Sequence, residues 1–92
     1  MALSTASVNI GDDWTLLNSS DAATVQIQNT GNAPFELVRG TTTQPTGNVP
    51  SIIVPPGFGS DTALIADVVL APTGGRLWAR ATDRARATIN WV

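Results

Sequence analysis

The closing stretch Gly74-Gly75-Arg76-Leu77-Trp78-Ala79-Arg80-Ala81-Thr82-Asp83-Arg84-Ala85-Arg86-Ala87-Thr88-Ile89-Asn90-Trp91-Val92 decides how the chain is read. Small or apolar residues alternate with polar ones on either side of a short polar turn, the pattern of two half-buried strands. Successive side chains of a strand point to opposite faces. If Leu77, Ala79 and Ala81 face inward, Arg76, Trp78 and Arg80 form a comb on the outer face. Four of the five arginines and two of the three tryptophans lie in this stretch. The expectation is a final hairpin whose Arg76, Trp78, Arg80, Arg84 and Arg86 contact another surface. Such a comb can grip; it contains no base to activate a nucleophile.

Upstream, the same alternation recurs between turn clusters, and helical periodicity is nearly absent. Val8 and Ile10 share a strand face before the Gly11-Asp12-Asp13 turn, and Trp14 to Leu17 forms a second strand. Ala23, Val25 and Ile27 alternate with Thr24, Gln26 and Gln28 until Asn29-Thr30-Gly31-Asn32 supplies turn chemistry. Ala33, Phe35 and Leu37 mark the next inner face, with Glu36 outward. A loop rich in Thr, Pro, Gly and Asn runs from Thr41 to Ser51. Ile52-Ile53-Val54 ends at the stiff reversal Pro55-Pro56-Gly57. Thr62 to Leu70 reads as a strand buried on both faces.

About seven to eight short strands at this spacing predict an all-β fold, a single antiparallel β-sandwich of jelly-roll or Greek-key type. The domain is expected over 8–92, with residues 1–7 as a short N-terminal arm. An internal echo is also visible. Trp14 precedes Ala23-Thr24-Val25-Gln26 at the offset by which Trp78 precedes Ala87-Thr88-Ile89-Asn90. Trp14 and Trp91 read as core residues. If Trp78 is the counterpart of Trp14, it faces inward instead of joining the comb.

Composition removes whole classes of function. A chain of 92 residues with no Cys, His, Lys or Tyr forms no disulfide and offers no thiolate or imidazole to a metal. Its many Ser and Thr lack a His or Lys to activate them. Asp12, Asp13, Asp21, Asp61 and Asp67 sit in turn settings without the spacing of a carboxylate pair or a calcium loop. No catalytic residue, cofactor or metal is expected. Gly57-Phe58-Gly59 and Gly74-Gly75 open no helix and read as turns, not phosphate cradles. The N-terminus lacks the basic and apolar regions of a secretory signal, and no apolar run approaches the ~20 residues of a membrane span.

Charge is unevenly placed. Residues 1–75 carry six acids against Arg39, a balance of −5, and residues 76–92 carry four arginines against Asp83, a balance of +3. That asymmetry suits contacts between copies or docking onto an acidic partner. The same arginines could instead pair with acids of their own subunit across a sheet. Overall acidity and the absence of lysine argue against nucleic acid as partner.

Val25-Gln26-Ile27-Gln28-Asn29-Thr30-Gly31, then Val54-Pro55-Pro56-Gly57, then Gly75-Arg76-Leu77-Trp78-Ala79-Arg80-Ala81 and the final Ala87-Thr88-Ile89 give the chain a likeness. From about Ala23 onward it resembles small virion structural proteins of tailed bacteriophages. The resemblance implies a structural protein of the particle that decorates or cements the capsid, often as a homotrimer, with the major capsid protein as partner. It implies synthesis in the host cytoplasm and a final place on the capsid surface. The alternative is a fibre-, spike- or tail-associated module that binds host-surface carbohydrate through Trp and Arg on an exposed strand.

Overall fold

The computed structural model describes residues 4–46, 51–59, 63–64 and 74–92. These form eight strands: β1 (Ser4–Ile10), β2 (Thr15–Leu16), β3 (Thr24–Asn29), β4 (Phe35–Gly40), β5 (Ile52–Val54), β6 (Ala63–Leu64), β7 (Arg76–Arg80) and β8 (Ala85–Trp91). They make two four-stranded antiparallel sheets, ordered β1-β8-β3-β6 and β2-β7-β4-β5. The protein is all-β.

The pairing follows one rule. β1 pairs with β8, β2 with β7, β3 with β6 and β4 with β5, so the chain forms a double ribbon closed at the β4–β5 end. The ribbon is rolled until β8 meets β3 in one sheet and β7 meets β4 in the other. Only the β4–β5 connection joins strands within one sheet. Every other connection carries the chain from one sheet to the other.

Alternation explains how the sheets meet. In β3, Val25, Ile27 and Asn29 are buried; in β8, Ala85, Ala87, Ile89 and Trp91 are buried. The register sets Val25 opposite Trp91 and Ile27 opposite Ile89 on that inner face. Phe35 and Leu37 of β4 and Leu77 and Ala79 of β7 enter the same core from the other sheet. Leu77 is fully buried, and truncating such a side chain to Ala costs about 2–5 kcal/mol.

Two asparagines in this apolar setting are fully used. Asn18 donates to the carbonyls of Ser20 and Gly75 at 2.9 and 2.7 Å and accepts the Leu77 amide at 2.7 Å. Asn29 donates to the carbonyls of Ala33 and Val54 and accepts the Gly31 amide. Each pins a turn to a strand of a different connection. Gly74, at φ 111°, packs against the Gly40 carbonyl where a Cβ has no room, so only glycine fits there.

Several expectations change. The closing stretch is not a hairpin: β7 and β8 lie in different sheets, and 81–84 carries the chain from one to the other. Alternation identifies the buried face of each strand but not its partner, and two alanine-rich inner faces look alike from either sheet. The expected N-terminal arm is part strand, since Ser4 to Ser7 pair with Trp91 to Thr88; Met1 to Leu3 lie outside the described residues. Of the expected strand from Thr62 to Leu70, Ala63 and Leu64 form β6 and the other residues lie outside the described ones. The echoing segments are each other's strand partners, β2 with β7 and β3 with β8.

Candidate docking surface

The comb residues occupy the outer face of the second sheet. Inward Leu77 and Ala79 leave Arg76, Trp78 and Arg80 on the other side, as alternation predicts. The register sets Arg76 opposite Gly40, Trp78 opposite Val38, and Arg80 opposite Glu36. On the other flank of β7, Leu16 lies opposite Trp78. Trp14, Val38 and Trp78 form a second, smaller buried cluster, with Leu16 packed against it. Trp14 and Trp78 are thus counterparts, and both lie outside the main core. Trp91 sits within that core, its indole donating to Ser20 Oγ at 2.9 Å.

This outer face is largely satisfied within the chain. Arg80 Nε donates to Glu36 Oε2 at 2.7 Å, and its guanidinium carbon lies 4.5 Å from the Trp14 ring centroid. Arg76 Nε donates to Asp21 Oδ1 at 2.9 Å. Trp78 is only 7% exposed, and its Nε1 donates to the Thr41 carbonyl at 2.9 Å. Gln44 Nε2 reaches the Trp14 carbonyl at 2.7 Å, so the segment after β4 is tied to both tryptophans. Arg39, the arginine outside the closing stretch, donates to the Gly74 carbonyl at 2.6 Å. The acids that meet Arg76 and Arg80 come from segments distant in sequence, and spacing alone does not identify them.

Arg84 and Arg86 differ. Both are exposed, and neither side chain makes a hydrogen bond or ion pair among the described residues. They lie in and just after the β7–β8 turn, at the end of the molecule where other turns converge. The Thr30 amide donates to the Arg86 carbonyl at 3.0 Å, and Gly31 abuts the Arg86 backbone. The Asn29 amide donates to the Phe58 carbonyl at 2.8 Å, which brings the β5–β6 turn to the same end. There Phe58 is 41% exposed. The Gly11 carbonyl accepts the Ala81 amide at 2.7 Å, so the β1–β2 turn joins them. Asp12, Asp13 and Asp83 are also exposed in these turns, which gives the end mixed charge.

Of the five arginine and tryptophan candidates, then, the structure groups Arg76, Trp78 and Arg80 on one face and holds them by internal partners. It leaves Arg84 and Arg86 open at one end. Ala79 and Ala81 are buried in the core and offer no outer surface. Sequence reading missed Phe58 and Ile53 as exposed apolar groups. One signal was present: no residue from Gly40 through Ser60 carries a charge.

The shallow clefts on this surface are open. One of about 280 Å³ is bordered by Pro34, Glu36, Ile53, Arg80 and Thr82. No three acidic residues gather to form a cation site among the described residues. No helix among them is long and apolar enough to cross a membrane. Comparison of the chain with protein-family models, with curated proteins and with solved structures returns no match.

Proposed function

We propose that this chain is a non-enzymatic structural protein of a bacteriophage virion, a decoration or cement protein that binds and stabilises the assembled capsid as a homo-oligomer. The observation that carries the reading is the pair Arg84 and Arg86, exposed beside the exposed Phe58 and with side chains that meet no partner among the described residues. Unpaired guanidiniums next to an exposed aromatic suit protein recognition, because Arg pairs bidentately with carboxylates and aromatics anchor interfaces. We read the rolled double ribbon, with orders β1-β8-β3-β6 and β2-β7-β4-β5, as an eight-stranded jelly roll. Viral shell proteins use that architecture, and so do lectins, so it supports the reading only by analogy.

A cement acts by linkage: it binds the assembled lattice better than separate capsid subunits, so each bound copy stabilises the shell. Contact made by several copies at once adds avidity. The carbohydrate alternative needs an exposed indole platform. Trp14, Trp78 and Trp91 are all buried, so no specific observation favours it.

The test is to mix purified protein with expanded capsids of the encoding phage that lack it. Saturable binding and a higher capsid melting temperature are expected, both lost in R84E/R86E. Absence of saturable binding by the wild-type protein would overturn the proposal.

A further inference from the structure

Among the described residues, the exposed large apolar side chains are Ile52, Ile53 and Phe58, and all three belong to β5 and the turn after it. Ile53 stands out at 63% exposure. β5 is also an edge strand of its sheet, bonded among the described residues to β4 alone. An edge strand presents unpaired amides and carbonyls, and proteins blunt such edges with charge, with proline or by keeping the strand very short. Here no charge appears from Gly40 through Ser60. β1, an edge strand of the other sheet, is different: it turns Thr5, Ser7 and Asn9 outward, and Thr5 and Ser7 are hydrogen-bonded to Asn90 and Thr88.

We propose that β5 is the contact between two copies of this chain, paired antiparallel edge to edge. The occupant follows from the charge pattern. A strand with no charge attracts no basic or acidic partner, whereas its apolar edge is complementary to itself. Antiparallel pairing centred on Ile53 places the two Ile53 side chains opposite one another, about 4.5–5.5 Å apart at Cβ. Pro55 lacks an amide and confines the pairing to Ile52–Val54. The two sheets then continue into one another as β2-β7-β4-β5-β5-β4-β7-β2. Glu36 lies opposite Ile53 on β4, so the Arg80–Glu36 pairs flank the seam.

This inference rests on the homo-oligomer part of the proposed function. It differs from the trimer that the resemblance implies, because a self-complementary contact closes with two copies. It is tested on purified protein without any capsid, so its outcome is independent of shell binding. Light scattering coupled to size exclusion should give twice the 9.6 kDa chain mass for wild type. I53K should run as a single chain with an unchanged far-ultraviolet spectrum. I53T, which keeps a β-branched residue, should dissociate at roughly tenfold higher concentration than wild type. S7K, on the other edge, should leave the mass unchanged. Hydrogen exchange over 51–59 should slow with rising concentration in wild type but not in I53K. A monomeric wild type, a three-copy assembly, or a pair that survives I53K overturns the proposal.

Discussion

Arg80 lies over Trp14, its guanidinium carbon 4.5 Å from the ring centroid, while its Nε holds Glu36 at 2.7 Å. One side chain thereby links the segment before β2 to β4 across the strand between them. The arrangement turns a residue that reads as a gripping arginine into a brace.

Arg80→Ala should lower stability by about 1–2 kcal/mol, combining a partly exposed ion pair with a cation–π contact. Arg80→Lys keeps the charge but loses the planar stack and should recover less than half of the loss. Urea denaturation of the two variants beside Glu36→Gln measures this. If Arg80→Ala and Glu36→Gln lower stability equally, the Trp14 contact contributes nothing.

The two outer tryptophans should respond differently to the loss of their indole N–H. Trp78 Nε1 is hydrogen-bonded to the Thr41 carbonyl, whereas the buried Trp14 Nε1 has no partner among the described residues. A buried unpaired donor costs about 1–3 kcal/mol, so its removal offsets part of the lost volume. Trp14→Phe should therefore be less destabilising than Trp78→Phe by about 1 kcal/mol. Thermal melts of both variants decide it, and the reverse order would show that Trp14 Nε1 is satisfied in solution.

How far the sequence is legible follows from what alternation encodes. It reports which face of a strand is buried, so Val25, Ile27, Leu77, Ala79, Ala87 and Ile89 were readable as inward residues. It does not report pairing, so β7 and β8 read as a hairpin although they lie in opposite sheets. Arg76 and Arg80 meet Asp21 and Glu36, partners 55 and 44 residues away, through long-range pairing with no local signal. Arg84 and Arg86 lie near the turn, where no neighbouring strand among the described residues supplies an acid. Asn18-Ser19-Ser20-Asp21 has the composition of an ordinary turn; only the burial and hydrogen bonds of Asn18 show that it organises three segments.

Arg84 and Arg86 should matter little to the isolated fold. Exposed positions without partners change stability by no more than about 0.5 kcal/mol on substitution. The double variant R84E/R86E should melt within about 2 °C of wild type. Capsid binding by wild-type protein should weaken as salt is raised, since exposed charges are screened beyond ~8 Å at physiological ionic strength. Titration across salt concentrations checks this; salt-independent binding would move the contact away from the two guanidiniums.

Asn18 is the most sensitive polar position described. Its amide is fully buried and makes three hydrogen bonds, to the Ser20 and Gly75 carbonyls and from the Leu77 amide. Through them it fixes the β2–β3 turn against the start of β7. Asn18→Ala strands the Leu77 amide in an apolar setting at a cost of about 1–3 kcal/mol and removes two further hydrogen bonds, although the Gly75 carbonyl keeps the Ala22 amide. A loss of about 3 kcal/mol is expected, a large share of the stability of a small domain. Asn18→Asp preserves the acceptor for Leu77 but removes the donor and faces the carbonyl of Gly75 with an oxygen, so it should be no better. Asn18→Ser is small enough to admit a water and should fall between. Chemical denaturation ranks the three; a loss under about 1 kcal/mol in Asn18→Ala would mean that water replaces the amide and that the turn is not held by it.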